Sequence, residues 1–191
     1  SITKQKSLEE IQQQLEGLSQ VYIVGCGTCT TITRTGRNEE VLAMKERLQE
    51  LGKIVTGSTV IPTACDEMTE ASVRENNEAI QNANCILAMT CALGVQKVGS
   101  YLNKPVIPAL DTLFIGLEDS PGNFHVVCDK CGHCDIGWSA GISRIKGWNK
   151  HLLNGPCGAT NNGKCEIDKT KYCAWTLIYQ RLKEQGRLDL M

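Results

Sequence analysis

The first part of the chain alternates short apolar runs with amphipathic segments, and this alternation constrains the fold most strongly. Apolar runs predict strands at 21–24, 53–61, 85–89 and 105–110. Helical periodicity predicts helices at 7–18, 38–51, 69–82 and 93–102. Strands that alternate with helices are typical of βαβ units around a parallel sheet. The sequence therefore predicts an α/β fold with a small parallel, Rossmann-like sheet.

Capping residues support two of these helices. Ser7 stands at the N-cap of the first helix, and Glu10 stands where a capping box places its acidic residue. Gly52 follows the second helix, at a position where glycine commonly ends a helix.

Four of the 11 cysteines follow the predicted strands. Cys26 and Cys29 come after the first strand, Cys65 after the second and Cys91 after the third. Because the carboxyl ends of parallel strands share one edge, we expect these four thiols to converge. Four thiolates without a nearby histidine suit a [4Fe-4S] cluster or an all-cysteine zinc site. Cys85 lies inside a strand, so we expect it to be a core residue.

Glycines flank the first of these cysteines. Gly25 and Gly27 are expected to allow a tight turn and to let backbone amides approach a negatively charged group. The same stretch partly matches the dinucleotide fingerprint, but Thr30 stands where the third glycine would be. We therefore expect no nucleotide at this loop.

Six further cysteines lie in the last third of the chain. Cys128, Cys131 and Cys134 form a C-x2-C-x2-C run, which resembles the three-cysteine element of bacterial ferredoxins. Cys157, Cys165 and Cys173 follow, and one of them would supply a fourth ligand. Cys173 begins a predicted helix over 173–184, where the helix dipole favours a thiolate. Zinc is the second choice of metal, because a zinc ribbon needs a second C-x2-C pair downstream and this sequence has none.

The pattern of the chain changes near residue 120. Residues 116–123 contain Pro121-Gly122 and predict a linker or a turn. Regular periodicity is lost after this point and returns in the final helix. We therefore expect an α/β domain at 1–120, with the first metal site, and an irregular cysteine-rich metal-binding module at 121–191, with the second site and a C-terminal helix.

Other side chains near the second cysteine group are expected to lie on the surface or to pack around the metal site rather than to bind the metal. His133 is expected to point outward between two ligands, and Arg144, Lys146 and Lys150 form either a solvated face or a docking site for an acidic ferredoxin. The tryptophans are expected to pack around the site and exclude water; they are Trp138, Trp148 and Trp175.

Composition excludes several classes of protein. The net charge is −1 without a long run of one sign, which disfavours nucleic acid as a partner. No apolar stretch reaches the length of a membrane span, and the polar, glutamine-rich start does not resemble a signal peptide. An odd number of cysteines with C-x2-C spacing favours metal ligation over disulfides, and hence a reducing cytoplasm.

The last third also resembles a known family. Segments 131–142, 152–158, 162–166 and 173–179 resemble the cysteine-rich C-terminal family of methylenetetrahydrofolate reductases. The whole chain is similar to the small iron–sulfur subunit that pairs with a flavin-bearing reductase subunit in anaerobes, especially acetogens. Two further cysteines common in that family are replaced here by Ser143 and Asn149.

The resemblance implies a non-catalytic electron-transfer subunit of an oxidoreductase complex, with two [4Fe-4S] clusters held by cysteines of the two groups. Flavin would sit on the partner subunit, and the electron donor would be ferredoxin or another iron–sulfur subunit. The complex would reduce methylene- to methyl-tetrahydrofolate in the one-carbon branch of the Wood–Ljungdahl pathway. No catalytic residue is assigned to this chain.

Two alternatives stay open from the sequence. Zinc at one or both sites would make the chain a structural module that only docks the flavin subunit. The imperfect glycine loop leaves a weaker hypothesis, an independent oxidoreductase that binds a nucleotide on the first half.

Overall fold

A computed structural model describes residues 1–146, 160–165 and 167–191 of the chain. The chain divides into two compact units. Unit 1 comprises Ser1–Phe114 and Ser120–Gly122, and unit 2 comprises Ile115–Asp119 and Asn123–Met191. None of the described helices is both long and apolar enough to cross a membrane.

Unit 1 contains most of the regular structure. Its strands are β1 (Ile2–Gln5), β2 (Gln20–Cys26), β3 (Ile54–Ile61), β4 (Cys85–Met89), β5 (Val106–Pro108) and the first part of β6 (Leu110–Ser120). Its helices are α1 (Leu8–Gln14), α2 (Cys29–Ile32), α3 (Asn38–Glu50), α4 (Met68–Glu75), α5 (Asn77–Gln81) and α6 (Ala92–Ser100).

Four parallel strands form the central sheet, in the order β3-β2-β4-β5. This arrangement confirms the predicted α/β class. Successive residues of β2 and β4 enter two different core clusters, as expected for strands covered on both faces. Residues of α1 and α3 belong to one cluster, and residues of α4, α5 and α6 belong to the other. Both faces of the sheet are thus sealed, and its carboxyl edge is left for the loops.

Three local predictions in unit 1 are confirmed at the level of single residues. The Ser7 side chain accepts a hydrogen bond from the Glu10 amide at 3.1 Å, as an N-cap does. Gly52 follows α3 with a φ of 76°, a backbone region that favours glycine. Cys85 is fully buried in the core, as expected of a strand residue, and burial raises the pKa of its thiol to about 11.

The predicted helix over 69–82 is interrupted. It forms α4 and α5, which meet at Asn76. The Asn76 side chain donates to the Ser72 carbonyl at 2.8 Å, and asparagine competes in this way with regular helix hydrogen bonds. β1 was not predicted, because a four-residue strand at the start of the chain is too short to show a period.

The prediction of a linker or a turn at 116–123 is confirmed at Pro121-Gly122, which form a turn, and is wrong for 116–120, which belong to a strand. β6 continues to Ser120, and β7 (Asn123–Cys128) follows the turn. Gly122 has a φ of 82°. The three-stranded sheet has the order β1-β6-β7, and β1 pairs antiparallel with the start of β6. The glycine and acidic residues of 116–119 have low strand propensity, which concealed this strand in the sequence.

Unit 2 contains little regular structure among its described residues. A 3-10 turn covers Ile136–Ser139, and α7 spans Ala174–Glu184 with Cys173 as its N-cap. This confirms the predicted C-terminal helix. One small core cluster lies here, formed by Cys173, Trp175, Ile178 and Leu182. The metal-binding character of this unit stays a prediction.

Candidate metal centres

The first cysteine group lies at the carboxyl edge of the parallel sheet. Cys26 is the last residue of β2, Cys29 opens α2, and Cys91 is the N-cap of α6. In the register of the sheet, Cys26 stands opposite Ile61, the last residue of β3. Cys65 follows in the loop after β3. The loops after three strands therefore carry the four predicted ligands to one edge.

The electrostatics of Cys65 link it to the other three thiols of this group. The pKa of the Cys65 thiol is raised, first by desolvation and then by the negative charge of ionised Cys91, Cys26 and Cys29. Desolvation is the largest cause even though the Cys65 residue as a whole is exposed. Charges influence one another in this way only over short distances. A bound cation would remove this repulsion and favour thiolates.

The thiols do not form a closed ligand set. Within residues 1–146, 160–165 and 167–191, no group of three or more histidine, cysteine, aspartate or glutamate side chains is arranged to hold a metal ion. The chemistry of the donors nevertheless fits a metal. Cys26 and Cys91 are buried, Cys29 is half-buried and Cys65 is exposed. An all-thiol set is the usual ligand of iron–sulfur clusters and structural zinc.

The glycines beside Cys26 allow close packing of the loop. The Gly27 amide donates to the Ile61 carbonyl at 2.8 Å, so this amide is already paired within the protein. The approach of other backbone amides to a bound group stays a prediction. A Cβ on Gly27 would lie 3.0 Å from the Pro62 carbonyl oxygen. A Cβ on Gly25 would collide with the Gly36 carbonyl, whose oxygen accepts a hydrogen bond from the Cys26 amide. Glycine here lets the cysteine loop pack closely against its neighbours.

Threonine hydroxyls fix the backbone of this loop, and sequence reasoning missed them. Thr30 donates to the Cys26 carbonyl at 2.7 Å, and Thr33 donates to the Cys29 carbonyl at 3.2 Å. Thr33 also joins a buried trio of hydroxyls with Thr3 and Thr35, at separations of 2.7 to 2.9 Å. The dense threonines between residues 28 and 35 were the signal that could have revealed this network.

Cys91 is held by a side chain from another element. The hydroxyl of Thr112, in β6, accepts a hydrogen bond from the Ala92 amide at 2.9 Å. Ala92 is the first residue of α6, so this hydroxyl satisfies one of the free amides at the start of that helix. Thr112 thereby fixes the helix end that carries the Cys91 thiol.

The three-cysteine run of unit 2 follows β7 in an irregular loop. Cys128, Cys131 and Cys134 are all exposed. Lys130 and Gly132 have φ values of 56° and 81°, and the Lys130 amide donates to the Cys128 sulfur at 3.4 Å. The three cysteines line an open cavity of about 770 Å³, together with Lys171 and other residues. A loop that already directs an amide at a sulfur suits a thiolate ligand.

Two of the three downstream candidates lie on a short hairpin. The Cys165 amide donates to the Lys171 carbonyl at 3.0 Å, and the Cys173 amide donates to the Gly163 carbonyl at 2.8 Å. Cys165 is half-buried, whereas Cys173 is buried in the small core of unit 2. The third candidate, Cys157, lies outside the described residues, as does Lys150.

The two described tryptophans differ in burial. Trp175 is buried in the same core cluster as Cys173, whereas Trp138, in the 3-10 turn, is 65% exposed and does not exclude water as expected. Trp148 lies outside the described residues. His133 is exposed, as expected. The expected basic group is partly neutralised, since Arg144 pairs with Asp135, and Lys146 pairs with Asp129 at 3.4 Å.

A comparison with known families relates part of the chain to a described family. Residues 107–191 match the family model described as methylene-tetrahydrofolate reductase C terminal. The match includes the whole of unit 2, and it supports a relation of this chain to methylenetetrahydrofolate reductase. No curated protein and no solved structure matches the chain.

Proposed function

We propose that this chain is the iron–sulfur electron-transfer subunit of a methylenetetrahydrofolate reductase complex. It would serve a flavin-containing partner subunit in reducing methylene- to methyl-tetrahydrofolate. Its electrons would come from ferredoxin or another iron–sulfur subunit. The match of residues 107–191 supports the relation to the reductase, and the cysteines of this chain support the electron-transfer role.

The observation that carries the proposal is the convergence of four thiols from three loops. The four thiols lie at one sheet edge, on Cys26, Cys29, Cys65 and Cys91. The negative charges of the other three thiols, when ionised, disfavour ionisation of Cys65. Mutual repulsion is costly unless a cation compensates it, so an arrangement of this kind suits a metal. A first [4Fe-4S] cluster would be held by these four residues, and a second by Cys128, Cys131, Cys134 and one downstream cysteine.

The residues of this chain would bind and shield the clusters. Each cluster, when bound, supplies transfer of single electrons, and the flavin of the partner can pass two electrons on as hydride. Thr30 and Thr33 hold the carbonyls of the two loop cysteines, which limits rearrangement of the ligands. The buried side chains of Cys26 and Cys91 place part of the site away from water. We assign no catalytic residue to this chain.

Anaerobic purification tests this function. We expect about eight iron atoms per chain, the content of two cubane clusters, and a paramagnetic signal on reduction. The reduced chain should then reduce the flavin of the partner subunit. A folded, colourless chain without iron would contradict the proposal. As a control, Cys85→Ala removes a thiol that is not a ligand and should leave the iron content unchanged.

A second candidate is a zinc-bound docking module for the flavin subunit. It is favoured by the exposed apolar side chains of Ile136 and Trp138, which lie on one turn directly after the three-cysteine run. Anomalous scattering at the iron and zinc edges separates the two candidates. Zinc at both sites, without redox activity, would support docking, and iron at both sites would support electron transfer.

A further inference from the structure

Arg144 joins two segments of unit 2 that both carry cysteines. Its guanidinium pairs with the carboxylate of Asp135, the residue directly after Cys134. The same guanidinium lies over the ring of Trp175, 6.0 Å from the ring centroid. Trp175 stands two residues after Cys173. One side chain therefore ties the end of the three-cysteine run to the start of α7.

The ion pair between Arg144 and Asp135 is partly shielded from water, so it can help to hold the two segments together. The side chains of Arg144 and Asp135 are 25% and 21% exposed, respectively. A planar guanidinium can bind a carboxylate and stack on an aromatic ring at the same time, which a lysine ammonium does less well.

Packing joins the same two segments independently of Arg144. The Ala140 and Ile142 side chains pack against the small core of unit 2, which includes Cys173 itself. Arg181, on α7, donates from Nη1 to the Ala140 carbonyl at 3.0 Å. The stretch after the three-cysteine run and the first turns of α7 thus form one packed body.

Cys173 is also the better placed of the two described downstream cysteines. It is 4% exposed and is the N-cap of an 11-residue helix, whose positive end favours a negatively charged ligand set. Its amide is fixed by the Gly163 carbonyl. Cys165 lies on the other strand of the hairpin and is half-buried, whereas Cys173 is buried.

From these contacts we infer that Cys173 is the fourth ligand of the second metal centre and that Arg144 is its positioning residue. The inference rests on the proposed function, since it assumes that Cys128, Cys131 and Cys134 hold a metal. It goes further by choosing among the downstream cysteines. It also assigns a role to an arginine that carries no ligand atom.

The test uses the full chain with the first centre removed by Cys65→Ala and Cys91→Ala. Iron and zinc are measured in this background after anaerobic purification. Cys173→Ala should abolish the remaining metal, whereas the matched change Cys165→Ala should leave it. Retention of metal in Cys173→Ala, or its loss in Cys165→Ala or Cys157→Ala but not in Cys173→Ala, would overturn the choice of Cys173.

The same background separates two kinds of failure. If it holds no metal at all, the second centre of the proposed function is wrong, and this inference fails with it. If it holds metal that survives Cys173→Ala, only the inference is wrong. Cys173→Ser adds a variant that keeps a good N-cap, so α7 is preserved. An oxygen ligand should change the spectrum of the reduced centre, and an unchanged spectrum contradicts ligation by Cys173.

Arg144 is tested by comparing Arg144→Gln with Arg144→Lys and Lys146→Gln. Loss of an outer residue that orients a ligand should increase the loss of metal to a chelator by about 10-fold or more. Arg144→Lys keeps the charge opposite Asp135 and should restore part of the retention. Lys146→Gln removes one positive charge from the same loop and should behave as the parent. Equal metal loss in Arg144→Gln and Lys146→Gln would show that charge alone matters and would overturn the positioning role.

Discussion

At the scale of single residues, Tyr22 is the least expected part of the core. Its hydroxyl is buried beneath the sheet and has no hydrogen-bond partner among the described residues. Desolvation raises its pKa from 10.0 to about 12. An unpaired buried hydroxyl costs free energy, so the aromatic ring rather than the hydroxyl stabilises this position. Gly57 makes room for that ring, because a Cβ there would lie 2.8 Å from Tyr22 Cε2.

Tyr22→Phe should therefore change the dependence of stability on alkaline pH. The unfolded tyrosine ionises near pH 10 and the folded one near pH 12, so above pH 10 the unfolded state binds fewer protons and stability falls. The decline should approach about 1.4 kcal/mol per pH unit between pH 10 and 12. In Tyr22→Phe this contribution should vanish, with stability at pH 7 equal or higher. Denaturant unfolding of both proteins from pH 8 to 12 measures the difference, and parallel curves would contradict the prediction.

At the scale of elements, hydrophobic periodicity predicted the longer helices and strands. It failed where a side-chain hydrogen bond interrupted a helix or where residues of low strand propensity formed a strand. The strand at Cys85–Met89 was predicted with its correct bounds because it is buried on both sides. Asn76 divides a predicted helix through a hydrogen bond between residues four apart, which a periodic pattern does not contain. β6 was only partly predicted, because its second half combines a glycine with acidic residues. A contact between two elements, such as that of the Thr112 side chain in β6 with the first residue of α6, leaves no periodic pattern in the sequence.

Thr112→Val should weaken the start of α6 without removing the methyl packing of the residue. The Ala92 amide would lose its acceptor, and replacing a capping hydroxyl costs about 1 kcal/mol in typical helices. Thr112→Ser keeps the hydroxyl and is the matched control. We expect the free energy of unfolding to fall in Thr112→Val alone, as measured by denaturant titration. If Thr112→Ser were equally destabilised, the hydroxyl would not be the cause.

At the scale of the whole molecule, the order of the elements predicted more of the first site than of the second. The ends of parallel strands share an edge, so the order of strands and cysteines was enough to predict that the loops after three strands carry these four cysteines to one sheet edge. Their ligation of a metal stays a prediction. The second site is formed by a loop and a hairpin without a period. The contacts that relate them, such as that of Arg144 with Trp175, join residues far apart in the sequence. No local pattern could select one cysteine among three.

The two units should also differ in their dependence on metal. Among the described residues, two core clusters of 12 and 10 buried residues stabilise the parallel sheet, whereas the small core of unit 2 has four. Because so small a core stabilises little, metal would contribute much of the stability of unit 2. Chelation should therefore raise amide exchange in α7 by about tenfold or more, while β2 and β4 stay protected. Hydrogen–deuterium exchange measures the amides of α7 and of the two strands in one experiment.

A variant provides the control. The double change Cys128→Ala with Cys131→Ala spares the first site and should reproduce the change in α7. Unchanged exchange in α7 after complete metal removal would show that its core is sufficient alone.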